Sequence, residues 1–208
     1  GEQQDVRLAA LPNGKWVAVW ADRAGNDGSE GGVFGQILDA NLQKVGSEFL
    51  VNTNTGGWQS KPQVASTDSG DFVVTWHEGN GYLSAQLFNA SGVKQGDQFN
   101  VRPGWSHISD VVDGGNNSFW ISSNRGQDAI YLKKISTTGA DLTAEIKIDR
   151  DVVQSSPNID VLSDGRVLVT WHEVVSGSGQ DVFAQVVSAD GTLSGAAFRL
   201  NTTLAENQ

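Results

Sequence analysis

The chain has 208 residues, 25 of them glycine and none cysteine, and it carries 24 acidic against 14 basic side chains. A net charge of −10 leaves no basic patch for a nucleic-acid backbone and disfavours an anionic bilayer surface. Without cysteine there is no disulfide, no thiol nucleophile and no cysteine-based zinc site. No apolar run reaches the roughly 18 residues a membrane-spanning helix needs, and Gly1 to Gln4 lacks a basic-then-apolar leader. Abundant Gly, Val, Thr, Phe and Trp with scarce Pro predicts many short strands joined by tight turns.

The first unit, residues 3–52, predicts four strands. Leu8 to Leu11 leads through the turn Pro12-Asn13-Gly14 into Trp16 to Trp20. A polar loop from Asp22 to Glu30 follows, then Val33 to Leu38, a turn at Asp39 to Gln43, and Phe49 to Val51. The second unit, 59–102, repeats the plan with a turn at Asp68-Ser69-Gly70 and a shorter loop, His77 to Gly81. Gln36, Gly46, Phe49 and Val51 match Gln86, Gly96, Phe99 and Val101 without a gap.

The third unit, 103–149, is degraded. Asn116 and Asn117 replace apolar residues, Lys133 the glutamine, Thr143 the glycine and Ile146 the phenylalanine. The fourth, 154–201, is faithful again, with Gln185, Gly195, Phe198 and Asn201 at the expected offsets. One frame ties the units together. Trp20, Trp76, Trp120 and Trp171 each have a glycine six residues before them (Gly14, Gly70, Gly114, Gly165) and an aliphatic residue twelve before (Leu8, Val64, Ile108, Ile159).

Four up-and-down strands per unit, apolar on both faces and repeated at about 45–55 residues, predict an all-β, β-propeller-like chain of four blades forming one domain over 1–208. The four units either close on themselves or belong to a longer array. In this topology the short 1–2 and 3–4 turns lie at one end. The varied 2–3 loops and the links between units lie at the other, where binding residues are expected.

The candidate site residues come from that second end. Asp22, Asn26, Asp27 and Glu30 supply hard oxygen ligands for calcium, against the plainer reading of a solvated Gly/Asn/Asp turn. His77-Glu78 and His172-Glu173 follow the tryptophans of units two and four, opposite each other in a four-bladed ring. A metal or acid–base pair is weighed there against simple repeat descent, since adjacent strand residues point to opposite faces. Trp58 and Trp105, with Tyr82 as a weaker companion, offer flat rings for stacking on sugar faces, or else plug gaps between blades. The strand tryptophans read as core. No nucleophile elbow surrounds Gly177-Ser178-Gly179, and no spacing selects a glycosidase dyad.

Gly70 to Trp76, with Val33-Phe34-Gly35-Gln36 and Val45 to Asn52, resembles the propeller-like repeats of large secreted bacterial adhesins of the repeats-in-toxin type and related calcium-rich exoproteins. That resemblance implies secretion to the cell surface, calcium in the surroundings, neighbouring domains in a larger chain and a role in attachment. The expectation is therefore a non-catalytic, extracellular module binding a glycan or another cell-surface ligand. The alternatives are a scaffold or spacer and, third, a glycan-active propeller enzyme.

Overall fold

A computed structural model describes residues 2–102, 106–126, 129–175 and 179–202, and the side chains of all of these except 102 and 106–109. Among the described residues sixteen strands make four antiparallel sheets, each in simple up-and-down order. The first sheet holds β1 Gln3–Ala10, β2 Trp16–Asp22, β3 Gly32–Leu38 and β4 Lys44–Leu50. The second holds β5 Gln59–Ser66, β6 Phe72–Glu78, β7 Leu83–Phe88 and β8 Lys94–Arg102. The third holds β9 Ser106–Asp113, β10 Ser118–Arg125, β11 Ile130–Ser136 and β12 Ile146–Ile148. The fourth holds β13 Gln154–Val161, β14 Val167–Val175, β15 Gly179–Val187 and β16 Leu193–Arg199. The only helical piece among the described residues is one 3-10 turn, Pro12–Gly14. No helix in them is long and apolar enough to cross a membrane.

The first strands of the sheets, β1, β5, β9 and β13, pack successively on one another and form the inner wall. The sheets stack face to face through three apolar seams. Val17, Val19 and Val33 meet Phe72, Val74 and Trp76 in the first seam. Val73, Ala85 and Leu87 meet Phe119, Ile121 and Ile135 in the second. Trp120, Ile130 and Leu132 meet Val167, Val169 and Trp171 in the third. Strands buried on both faces carry apolar residues at consecutive positions, which is why Phe72 to Trp76 reads as a near-continuous hydrophobic run. No comparable seam joins the fourth sheet to the first among the described residues. The four sheets form an arc.

The third sheet corrects the repeat frame. Leu11, Thr67, Gly114 and Leu162 each donate the backbone N–H to the carbonyl four residues on, so these residues are equivalent. The turn position held by Gly14, Gly70 and Gly165 is held in the third sheet by Asn117, all four at positive φ (71°, 88°, 84° and 55°). Asparagine tolerates that region almost as glycine does. Gly114 is therefore not the counterpart of Gly70, and Trp120 is not the counterpart of Trp76. Lys133, which stands for the glutamine, pairs with Ile121, whereas Gln86 pairs with Val74. Trp120 thus occupies the place of Val73 and faces the fourth sheet, and Ser123 takes the place of Trp76. The hydrophobic alternation overrode the Gly-to-Trp spacing, because a one-residue parity error would turn Phe119 and Ile121 out of the second seam.

β14 and β15 stay paired to Val175 and Gly179, and β10 runs to Arg125.

Candidate functional site

All four inner strands carry a bulge; in β9 it lies between Ser106 and Ser109, and in the other three it falls at one common place. The register slips between Gln4 and Arg7, Ser60 and Gln63, and Ser155 and Asn158. Within the slips Asp5, Lys61 and Ser156 take positive φ of 56°, 51° and 55°. Left-handed non-glycine residues are costly and persist only where surrounding structure holds them, and bulges re-aim the side chains beside them.

Beyond the bulges lies one layer of polar side chains along the inner wall. Arg7, Gln63, Asp110 and Asn158 pair with Val19, Thr75, Ser122 and Thr170, and so hold equivalent positions in the four sheets. Each points across a seam. Arg7 Nε donates to Gln63 Oε1 at 3.0 Å, and Asn158 Nδ2 donates to Asp110 Oδ2 at 2.9 Å. Ile159 N and Val111 N also donate to Asp110, each at 3.0 Å. Arg7 and Asn158 are exposed, and Gln63 and Asp110 are half-buried. Burial pushes the Asp110 carboxyl above the usual range and the Asp160 carboxylate adds to this. The backbone donors and the Arg7 charge oppose them without cancelling the rise. The layer therefore offers a cation, an amide pair and a raised carboxyl with a second carboxylate, Asp160, beside it.

The predicted site residues that are described lie on the loop side of this layer, His77 and His172 within their strands and the others in or beside the loops. Trp58 is 44% exposed and lines a 430 Å³ pocket with Arg23 and Glu30. Its backbone is fixed, since Gly79 N donates to Trp58 O at 2.8 Å and Gln59 N to Gly31 O at 3.2 Å. Tyr82 is half-buried in the 2–3 turn of the second sheet, where its carbonyl accepts from Glu78 N at 2.9 Å. Trp105 lies outside the described residues.

His77 is buried in β6 and His172 half-buried in β14, in sheets that the third sheet separates, so the arc does not bring them together. Their glutamates have a structural task. Trp76 Nε1 donates to Glu78 Oε1 at 2.9 Å, and Trp171 Nε1 to Glu173 Oε2 at 3.2 Å. Gln59 bridges Glu78 and Asn52, while Arg150 Nε lies 2.8 Å from Glu173. Gln59 is itself buried, so this clasp lies in the interior. Trp76, Trp120 and Trp171 are buried as expected, whereas Trp20, on the outer face of the first sheet, is only half-buried.

In the Asp22–Glu30 loop, Asp22 accepts from Ala24 N (2.5 Å), Asn26 Nδ2 (2.7 Å) and Gln3 Nε2 (3.1 Å). Asp27 Oδ1 accepts from Ser29 N at 3.0 Å, and its Oδ2 is buried without a partner. No group of three His, Asp or Glu side chains converges for a metal ion among the described residues. Burial raises the Asp22 carboxyl, but the donors from Ala24, Asn26 and Gln3 outweigh it and hold the carboxyl below its ordinary value. A depressed folded-state pKa contributes stability above the unfolded value of 3.8 that is lost as pH falls through the folded one. Asp22→Asn is therefore expected to cost about 1–2 kcal/mol at neutral pH, with the difference from wild type shrinking below pH 3.8 in paired urea melts.

No family model matches the chain, and no curated protein sequence does. Solved structures do match. A protein of unknown function from Dyadobacter fermentans superposes with TM-score 0.68 at 10% identity, over 95% of this chain and 68% of that one. A polysaccharide lyase, an ulvan lyase, gives 0.66 at 8% identity, over 97% and 59%. The Penicillium chrysogenum α-L-arabinanase bound to arabinobiose gives 0.63 at 15%, over 92% and 59%. The fold is that of a β-propeller. The chain spans 59–68% of the length of these propellers, and at such identities the likeness carries the fold alone.

These neighbours overturn three expectations. The likeness to repeats-in-toxin adhesins rested on core and turn residues that any blade of this geometry needs, and the structural likeness is to glycan-cleaving propellers. The reading as a non-catalytic adhesin module falls with it, and so does the expectation that the chain is no enzyme. Sequence reasoning missed Arg7, Gln63, Asp110, Asn158 and Asp160. Their common signal is a polar residue four positions before Leu11, Thr67, Gly114 and Leu162, with Asp160 two beyond Asn158. The misplaced third frame hid Asp110.

Proposed function

We propose that this propeller acts on polysaccharide, cleaving glycosidic bonds by hydrolysis at its inner polar layer. The observation that carries the reading is Asp110, a carboxyl on an inner strand whose pKa is raised by burial, with Asp160 and Arg7 beside it. Paired acids in unlike environments divide the roles of acid and base. Asp110 gives its proton to the leaving glycosidic oxygen as the bond to the anomeric carbon breaks. Water supplies the new oxygen at that carbon, and Asp160 takes the water proton. Arg7 and Gln63 hold sugar hydroxyls, and Asn158 keeps Asp110 in place. The catalytic neighbours, an arabinanase and an ulvan lyase, support polysaccharide as the substrate class.

The test is product release from arabinan, arabinoxylan and ulvan by the wild-type chain and by Asp110→Asn. Reducing ends formed by wild type and lost in the variant support hydrolysis. An unsaturated, ultraviolet-absorbing product would make it a lyase, and no turnover on any of the three would remove the reading. Because the acid must be protonated, the rate is expected to fall as pH rises through the Asp110 pKa, and the limb should lie above that of an ordinary carboxylate.

Trp58 serves as a stacking platform at the loop end for the same chain, beside Arg23 and Glu30. Trp58→Ala is expected to weaken oligosaccharide binding roughly tenfold with an unchanged melting temperature, read by calorimetry and a thermal melt.

A further inference from the structure

The pocket at the loop end of the first seam is more firmly built than its loops suggest. Trp58, Arg23 and Glu30 border it, and backbone contacts anchor this rim. Arg23 N donates to Glu2 O at 2.9 Å. Gly31, next to Glu30, forms a short parallel bridge with Trp58. Only glycine allows that approach, because a Cβ on Gly31 would stand 2.5 Å from Asp22 O. Gly79 seats the ring. It donates its N–H to Trp58 O at 2.8 Å, and a Cβ on it would lie 3.2 Å from the indole Nε1 and 3.3 Å from Cδ1. The pyrrole edge of the indole thus rests on a bare backbone, and the residue stays exposed. Arg23 and Glu30 carry opposite charges in the same pocket, yet neither side chain makes a hydrogen bond or an ion pair among the described residues. The guanidinium donors and the carboxylate acceptors are both open to a ligand.

We propose that this pocket is a holding site for neutral glycan chains, separate from the polar layer, with Gly79 as the residue that positions its stacking ring. The exposed indole offers a flat apolar face to the C–H face of a sugar. Arg23 and Glu30 flank it with donors and acceptors, which suit hydroxyls that both accept and donate. Their charges cancel within the pocket, and the chain as a whole carries −10, which disfavours an anionic glycan. Position sets the length of chain that is held. Trp58 stands just before β5, and Gln63 of the polar layer lies within that strand, about 15 Å further along it. A disaccharide does not bridge that span. A chain gripped at Trp58 while it is cleaved at Asp110 is therefore an oligosaccharide or longer. The ligand class rests on the proposed polysaccharide substrate, whereas holding the chain needs no reaction at Asp110.

Calorimetric titration of the Asp110→Asn chain tests it, because that background holds glycan without consuming it. Arabinan and arabinoxylan oligosaccharides are the neutral probes, and ulvan oligosaccharides the acidic one. A neutral probe is expected to bind equally well at low and high salt, since no charge is neutralised. Adding Trp58→Ala is expected to weaken it about tenfold, and Trp58→Phe, which keeps a flat ring, to recover most of the loss. Gly79→Val pushes the indole off its seat and is expected to cost about as much as Trp58→Ala. Arg23→Ala, at an exposed position, is expected to cost about threefold. Thermal melts confirm that each variant is folded. Neutral binding that survives both Trp58→Ala and Gly79→Val overturns the site, as does no binding of either neutral probe. Ulvan binding that exceeds the neutral probes and fades with salt overturns the ligand class. A wild type that cleaves none of the three while this binding persists removes the catalytic reading alone.

Discussion

Asp110→Asn is expected to lower the rate of glycan cleavage by about 10²–10⁴-fold while the chain keeps its fold. The substitution is close to isosteric: the carbonyl oxygen of the new amide can still accept from Ile159 N and from Asn158 Nδ2, and only the acceptance from Val111 N by the other carboxylate oxygen is lost. What it removes is the transferable proton. A purely structural Asp110 would show the reverse pattern, with a lowered melting temperature and no change in a rate. The pH profile separates the two further. Burial, with Asp160 beside it, holds the Asp110 carboxyl protonated to higher pH than an ordinary aspartate. The alkaline limb of the wild-type profile should vanish in the variant's residual activity. Arg7→Lys gives a graded control, because it keeps the charge that opposes this rise but loses the planar fork that reaches Gln63 Oε1.

Trp76→Ala is expected to destabilise the chain by about 3–5 kcal/mol, while the equivalent Trp20→Ala costs much less. The two residues share a register position but not an environment. Trp76 is fully buried in the first seam and its indole N–H is held by Glu78. Removing it leaves a cavity between two sheets and a buried carboxylate short of a donor. Trp20 lies on the outer face of the first sheet and is half-buried, and no sheet among the described residues covers it, so its removal empties less packed volume. Urea melts of both variants, side by side, check the difference. Equal losses would mean that the outer face of the first sheet is covered.

The fold was largely legible because blade cores are written in local alternation. Phe72, Val74 and Trp76 against Val73, with Gly70 before them, specify a hairpin buried on both faces without reference to the rest of the chain. The third unit was misread because its landmark residues are decoys. Asn117 does the work of a glycine through its tolerance of positive φ, and Trp120 packs on the face opposite to Trp76. The active-layer candidates were illegible for another reason. Arg7, Gln63, Asp110 and Asn158 are four unlike residues, so no repeated motif marks them. The register counted back from each 1–2 turn puts them in one layer, and in the third unit that turn was misplaced. The conspicuous pairs His77-Glu78 and His172-Glu173 drew attention because they repeat, and they repeat because each clasp holds its own tryptophan.

A row of sheets joined in series by three seams behaves thermodynamically like a short one-dimensional chain of coupled units. The second and third sheets each lean on two neighbours, and the first and fourth on one. Local opening should then be cheapest at the two outer members and dearest in the middle pair. Amide exchange in β2 and β14 should accordingly run ahead of that in β6 and β10, although the four strands are near-copies of one another.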